Sequence, residues 1–208
     1  MCSIASRDWP IDGDLRRRML KCMLENAPFV TDIEAIRSRA RDHLEQGALT
    51  PNYEGDVEIT IRLLNDAIAT EIVCVLRYRY HAVVAAGISS DAVKQEFEDH
   101  ARDEEQHLLW FAERINQLGG NPNLSPEGLA QRSATQYVEG ADLVAMIKEN
   151  LVAERIVIEI YRSLIRYFAS KDPTTRLLIE RVLAQEEDHA NDMHDLLVAH
   201  EGTPMLER

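Results

Sequence analysis

The spacing of the breaks between long helical stretches constrains this chain more than any other feature. From residue 56 onward, apolar residues recur every three or four positions, the helical period, in four segments. They cover about 56–86, 90–118, 141–169 and 173–200. Each runs close to thirty residues, which as α-helix is roughly 45 Å. The first two segments are separated by "GISS" and the last two by "SKDP", whereas the middle two are separated by "GGNPNLSPEGLAQRSATQYVEG". Short breaks make antiparallel neighbours, and one long connection carries the chain back along the bundle. The expected fold is all-α: a four-helix bundle running up-down-down-up with one long crossover between its second and third helices. With only 9 Gly and 7 Pro in 208 residues, the composition favours helices over a sandwich with many turns. Asp172-Pro173 supplies an N-cap and a proline at the first helical position for the fourth segment.

Ahead of the bundle lies an N-terminal helical extension, placed at 1–52, with the bundle domain at 53–208. Residues 14–27, "DLRRRMLKCMLENA", carry Leu15, Met19 and Met23 at helical spacing and read as a short helix. The stretch 31–47, "TDIEAIRSRARDHLEQG", opens on a capping box of Thr31 and Glu34 and closes on Gly47. "ALTPNYEGD" then reads as a linker, and the arginine run 16–18 as a solvated face.

The formal net charge is −13. Such a surface repels nucleic acid and anionic membranes and attracts cations, so neither a nucleic-acid partner nor a membrane is expected. The apolar stretch "IVCVLRYRYHAVVAAG" is too short and holds two arginines, so it does not read as a membrane span. Three scattered cysteines, Cys2, Cys22 and Cys74, form no CxxC pair and no disulfide framework. The N-terminus carries no apolar core of signal-peptide length. A cytoplasmic protein is expected.

Carboxylates interrupt the apolar faces in a regular way. Glu71 sits in "DAIATEIVCVL" and Glu154 in "NLVAERIVIEIY". A lone carboxylate on such a face is costly without a partner. The second and fourth segments carry "DEEQHLL" and "AQEEDHAND", each with two adjacent glutamates ahead of a histidine. Residues three apart share a helix face and residues two apart do not. Glu104 therefore faces with His107, and Glu186 with His189, while Glu105 and Glu187 point elsewhere. The midpoint of 71 and 104 falls at Gly87–Ile88 in the first short turn, and that of 154 and 186 at Ser170 in the second. Each pair is thus level across an antiparallel hairpin.

Four glutamates and two histidines therefore converge at mid-bundle. Four carboxylates in a low dielectric require cations. Oxygen donors with one imidazole per ion suit iron or manganese. A glutamate on each of two helices plus Glu-x-x-His on the other two is the ligand pattern of ferritin-like di-iron carboxylate bundles.

On these residues the chain resembles the bacterioferritin branch of the ferritin-like family, over about residues 55–200. The resemblance implies two iron ions per subunit, held by Glu71, Glu104, His107, Glu154, Glu186 and His189, with Glu104 and Glu186 bridging. It implies a ferroxidase that oxidises Fe(II) with O2 or H2O2 for iron storage or detoxification. Tyr78 matches a tyrosine beside the family's site and is counted with the catalytic residues; Tyr161, its equivalent after Glu154, is read as core packing with a satisfied hydroxyl. His100 is read as a surface histidine, with an extra ligand or a donor behind the ligands as the alternative, and His81 lies outside the site. The haem-binding methionine of the family is replaced by Glu105, so no haem is expected at that place. Only "EGTPMLER" follows the fourth segment, where bacterioferritins carry a fifth helix. A homo-oligomer is expected, with dimer, 12-mer and 24-mer all open. Two rival roles remain: a peroxidase or catalase of the rubrerythrin or manganese-catalase kind, and a helical bundle without catalysis that docks a partner.

Overall fold

In a computed structural model the described residues are 32–87 and 90–201. The predicted helix at 14–27 and the arginine run fall outside them. The chain divides into two compact units, residues 1–42 and 43–208. In the first, α1 spans Ile33–Arg39. Its cap is Asp32, whose side chain accepts from the Ala35 amide at 3.0 Å, one residue later than the expected Thr31. The stretch expected to run helical to Gly47 instead ends at Ala40 and loses its helical path at His43, which takes a left-handed φ of 56°. Exposure accounts for the short helix: no residue of α1 is buried, so little burial offsets its fraying.

The second unit is the bundle. Its helices are α2 (Val57–Val84), α3 (Ser90–Gln117), the short α4 (Leu129–Arg132), α5 (Leu143–Phe168) and α6 (Pro173–Glu201). Aspartates cap three of the long helices. Asp56 accepts from the Ile59 amide, Asp142 from the Ala145 amide, and Asp172 from the Thr175 amide, at 2.8–3.0 Å. Helix α3 stops at Gly119-Gly120. Gly119 has φ +77°, and a Cβ on Gly120 would lie 2.6 Å from the Ile61 side chain, so this turn accepts glycine at both places.

The architecture is the expected single-crossover bundle. Helix α2 packs antiparallel on α3, and α5 on α6. Helices α2 and α5 also run antiparallel, since Tyr78 meets Glu154 while Tyr161 meets Glu71. The crossover climbs along α2. Thr70, Cys74, Arg77 and His81, a stripe at helical spacing, bond Ala134, Thr135, Gln136 and Val138 in turn. That polar seam answers the backbone groups of a long connection that would otherwise be buried without partners. The stretch read as a linker also packs: Tyr53 lies against the core, and its hydroxyl donates to Asp172 at 2.7 Å.

The core comes in two apolar clusters. One gathers Leu64, Ile68, Phe111, Ile115, Phe168 and Ile179 among others; the second gathers Tyr78, Phe97, Ala101, Ile147 and Met193. Between them, at mid-bundle, lies a layer of buried charge.

Candidate metal centre

That layer consists of the six residues named from the spacing. Glu71, Glu104, His107, Glu154 and Glu186 are fully buried and His189 nearly so. Glu71 comes from α2, Glu104 and His107 from α3, Glu154 from α5, and Glu186 and His189 from α6. Helical phase turns the neighbouring glutamates outward. Glu105 lies 3.7 Å from Arg79 with its side chain 59% exposed, and Glu187 bonds Arg162 at 2.8 Å.

The six form two overlapping quartets. Glu71, Glu104, His107 and Glu186 bring one ligand atom each within 4.8 Å of one another, and so do Glu104, Glu154, Glu186 and His189. Ligand atoms about 2.0–2.6 Å from a shared ion would span such a distance. Glu104 and Glu186 belong to both quartets. His107 Nδ1 lies 3.1 Å from Glu104 and 3.0 Å from Glu186. His189 Nδ1 lies 3.3 Å from Glu104 and 3.6 Å from Glu186. Both imidazoles thus present Nδ1 to the centre. Their outer nitrogens are held from behind: His107 Nε2 by Gln185 Oε1 at 3.2 Å, and His189 Nε2 by Asp103 at 3.4 Å. Such outer partners orient a metal-binding imidazole and fix its tautomer.

The residues fit a pair of divalent cations. Glu71 Oε2, Glu104 Oε1, Glu154 Oε2, both Glu186 oxygens and His189 Nδ1 are buried without a hydrogen bond. Polar atoms are rarely left so; here all of them face one space, and all are ligand types for iron or manganese. Protonation tells the same story. Burial, reinforced by Glu186 and Glu104, pushes the Glu71 carboxyl well up. Burial also pushes Glu154 well up, with Glu104 and Glu186 adding to it. Burial would raise Glu104 as well, but the hydrogen bond from His107 and the nearby His189 imidazole pull it well below the usual range. Burial would lower both histidines, yet their carboxylate partners, led by Glu104 for His107 and Asp103 for His189, hold them far up. The layer compensates its own charge with protons, which divalent cations would replace.

Both tyrosines reach the centre. The Tyr78 hydroxyl donates to Glu154 and lies 3.1 Å from His100 Nδ1. The Tyr161 ring packs in the core as expected, and the partner that satisfies its hydroxyl is Glu71. Helix pairing is the cause: each tyrosine lies two turns beyond its own glutamate and meets the opposite one across antiparallel helices.

His100 corrects the surface reading. It is 3% exposed, stacks on the His189 ring at 4.0 Å, and its pKa is pushed down to about 4 by burial and by His189. Its Nε2 lies 3.2 Å from Glu96 and 3.5 Å from Asp192, at the bottom of an acidic cleft of about 200 Å³ between α3 and α6. The sequence reasoning passed over Asp103 and Gln185. The signal was present: each is the hydrogen-bonding residue just before the Glu of a Glu-x-x-His motif. His81 lies outside the centre, tied to Val138 and Asn150.

A profile of the ferritin-like domain matches residues 61–201, which takes in all four long helices. The chain belongs to the ferritin-like domain family. A DNA protection during starvation protein from Pyrococcus furiosus is 30% identical over 148 residues, covering 68% of this chain and 78% of the relative. A bacterioferritin from Desulfovibrio desulfuricans is 27% identical over 139 residues, covering 66% of this chain and 74% of the relative. Among solved structures, the dodecameric thioferritin described as the bacterioferritin-related protein of Bacteroides fragilis superimposes with a TM-score of 0.68. It is 31% identical, and the match covers 74% of this chain and 94% of that one. This ferritin-like chain is thus a member of the di-iron bundle family, with buried carboxylates and imidazoles able to bind metal. Among its described residues no helix is long and apolar enough to cross a membrane.

Proposed function

We propose that this chain is a ferroxidase of the bacterioferritin kind, acting on Fe(II) at a two-metal centre contained within one subunit. The observation that carries the reading is the double quartet, in which Glu104 and Glu186 are common to two sets of ligand atoms. In the proposed assignment Glu71 and His107 complete one iron position, and Glu154 and His189 the other. Two ferrous ions supply two electrons: dioxygen with two protons leaves as hydrogen peroxide, or hydrogen peroxide with two protons leaves as two waters. The protein's part is electrostatic and geometric. Four carboxylates favour the higher charge of the ferric product, Gln185 and Asp103 hold the imidazoles in place, and Tyr78 and Tyr161 orient Glu154 and Glu71. The two apolar clusters above and below exclude bulk water from the layer.

The acidic cleft beside His189 suits attraction of Fe(II), and the net charge of −13 extends that field. We place the protein in the cytoplasm as a homo-oligomer that stores or detoxifies iron. The dodecameric thioferritin favours a shell over a dimer. The relatives named for DNA leave a second role to consider, but the acidic charge favours none here.

The test is aerobic Fe(II) oxidation, followed by ferric absorbance in the near ultraviolet, on wild type and Glu104→Ala. Losing a bridging carboxylate should slow oxidation at least about 100-fold, beyond the usual effect of an outer-layer change. An unchanged rate in the variant removes the assignment. Rapid peroxide turnover with no iron accumulation would place the chain with the peroxidase and catalase kind instead.

A further inference from the structure

Arg77 carries a buried positive charge that the centre's own chemistry does not use. Its side chain is 1% exposed and stands among the largest fully buried ones in the bundle. Every hydrogen-bond partner it has is uncharged. Nε donates to Asn150 Oδ1 at 2.8 Å, and the terminal nitrogens donate to the Gln136 carbonyl at 3.1 Å and to Cys74 Sγ at 3.5 Å. Burial holds the Cys74 thiol well up, so it stays protonated and brings no negative charge. A guanidinium remains charged at any physiological pH. Arginine is rarely buried unless paired, because the uncompensated charge is costly. The nearest buried negative charge available to answer it is the carboxylate layer.

Arg77 does not sit symmetrically with respect to that layer. Its partner Asn150 lies one helical turn before Glu154 on α5. Its guanidinium carbon is 5.7 Å from the centre of the Tyr78 ring, and the Tyr78 hydroxyl donates to Glu154. Glu71 lies six residues back along α2, a rise of about 9 Å. Among the four carboxylates, Glu154 acts most strongly on Arg77. The Glu154–His189 side also has a carboxylate behind it, Asp103, but that side chain is 47% exposed and solvent screens it. Arg77 is shielded from water and is not screened in that way.

We infer that Arg77 makes the two halves of the centre unequal toward divalent cations: the Glu71–His107 half fills first, and the Glu154–His189 half, on Arg77's side, fills second. This rests on the metal-centre reading above. Arg77 is a positioning residue, acting through the field and not through contact with metal or oxidant. The size of the effect follows from Coulomb's law. At an effective dielectric near 20, a few ångströms of difference in distance from a buried unit charge changes a divalent cation's affinity by on the order of tenfold.

Anaerobic titration of the metal-free full-length chain with Co(II) tests this, read by visible absorbance and by calorimetry so that no turnover is involved. Wild type should take up two Co(II) per chain in two resolved steps with dissociation constants about tenfold apart. Arg77→Gln keeps donors for Asn150 and Gln136 without the charge, and should bring the two steps together by tightening the second. Arg77→Met serves as a second neutral variant, with folding of each checked by circular dichroism. Arg77→Lys keeps the charge and should restore the separation. Filling of both positions by wild type in one unresolved step overturns the inference, as does a folded neutral variant that keeps the wild-type separation. Absence of any Co(II) uptake overturns the metal-centre reading itself, an outcome distinct from either.

Discussion

Stripping metal from the protein should cost it much of its stability, by an amount the centre allows one to work out. Six buried ligand atoms have no hydrogen-bond partner, each the kind of group whose desolvation costs about 1–3 kcal/mol when unanswered. Metal that binds the folded chain and not the unfolded one adds about 2.7 kcal/mol per site at a free concentration one hundred times the dissociation constant, so about 5 kcal/mol for two sites. For a chain of this length each kcal/mol moves the melting temperature by about 2–4 °C, which gives a shift of roughly 10–20 °C. The measurement is thermal unfolding by circular dichroism, anaerobically, with excess chelator and then with excess Mn(II) or Fe(II).

The shift should also depend on pH, with a definite sign. Glu71, Glu154, His107 and His189 all have raised pKa values in the metal-free fold. The folded state therefore binds more protons than the unfolded one. The stability these groups add is fully present below their unfolded values, near 4.3 for glutamate and 6.5 for histidine, and is lost as pH rises through the folded ones. Metal-free protein should melt at a lower temperature at pH 8 than at pH 6, by about 1–3 kcal/mol per pH unit in stability. Metal must displace those protons, so its stabilising increment should grow over the same interval. A melting temperature within about 2 °C with and without saturating metal, or an increment that shrinks as pH rises, refutes the reasoning.

Other consequences can be checked on single variants. Glu105→Gln and Glu187→Gln alter exposed neighbours of the bridging pair, so each should leave Fe(II) oxidation unchanged and stability within about 0.5 kcal/mol; a loss like that of Glu104→Ala would show the phase assignment to be wrong. Tyr161→Phe removes the donor to Glu71 and should cost about 1–2 kcal/mol in denaturant unfolding of the metal-free chain, with Tyr78→Phe costing a similar amount and slowing Fe(II) oxidation. Asp172→Ala takes away the α6 cap, the Tyr53 acceptor and the Arg114 counter-ion together, so chemical denaturation should register a loss of about 3–5 kcal/mol. In gel mobility assays at physiological salt, duplex DNA should run unshifted with the purified chain; a shift that disappears at high salt would show that the −13 charge hides a basic patch.

The bundle was legible because its constraints are long and redundant. Two short breaks and one long one leave little choice of connection, and helical phase with hairpin midpoints places Glu71, Glu104, His107, Glu154, Glu186 and His189 in one layer. The same tools failed where tertiary contact decides. Residues 31–47 carry helix-forming side chains and plausible caps, but no residue of α1 is buried, and the helix stops after seven residues. His100 shares a face with Glu104 and His107, yet only the placement of α6, with His189 stacked on it and Asp192 beside it, shows that this face is closed. Tyr161 reads as core with a satisfied hydroxyl and is so, but its acceptor, Glu71, lies ninety residues away on another helix and could not be named from the sequence.

Asp103 and Gln185 show how far a repeated motif carries, and where it must stop. Each precedes the Glu of a Glu-x-x-His, and one helical residue turns the side chain by about 100°. That rotation takes it off the face of its own histidine and onto the flank shared by α3 and α6, where the outer nitrogen of the other helix's histidine emerges. Two antiparallel copies of the motif therefore hold each other's imidazoles, a relation no single copy contains. The two supports differ: a carboxylate stands behind His189 and a neutral amide behind His107. A carboxylate makes its imidazole the more basic ligand, while the unscreened charge of Arg77 weakens cation binding on that same side. The near-symmetry of the six ligands comes from helix geometry, and departures from it must come from the residues around them. Replacing Asp103 with Asn would equalise the supports and leave Arg77 unopposed, so the two Co(II) steps should move further apart; steps that draw together instead would mean that Asp103, and not Arg77, sets the order of filling.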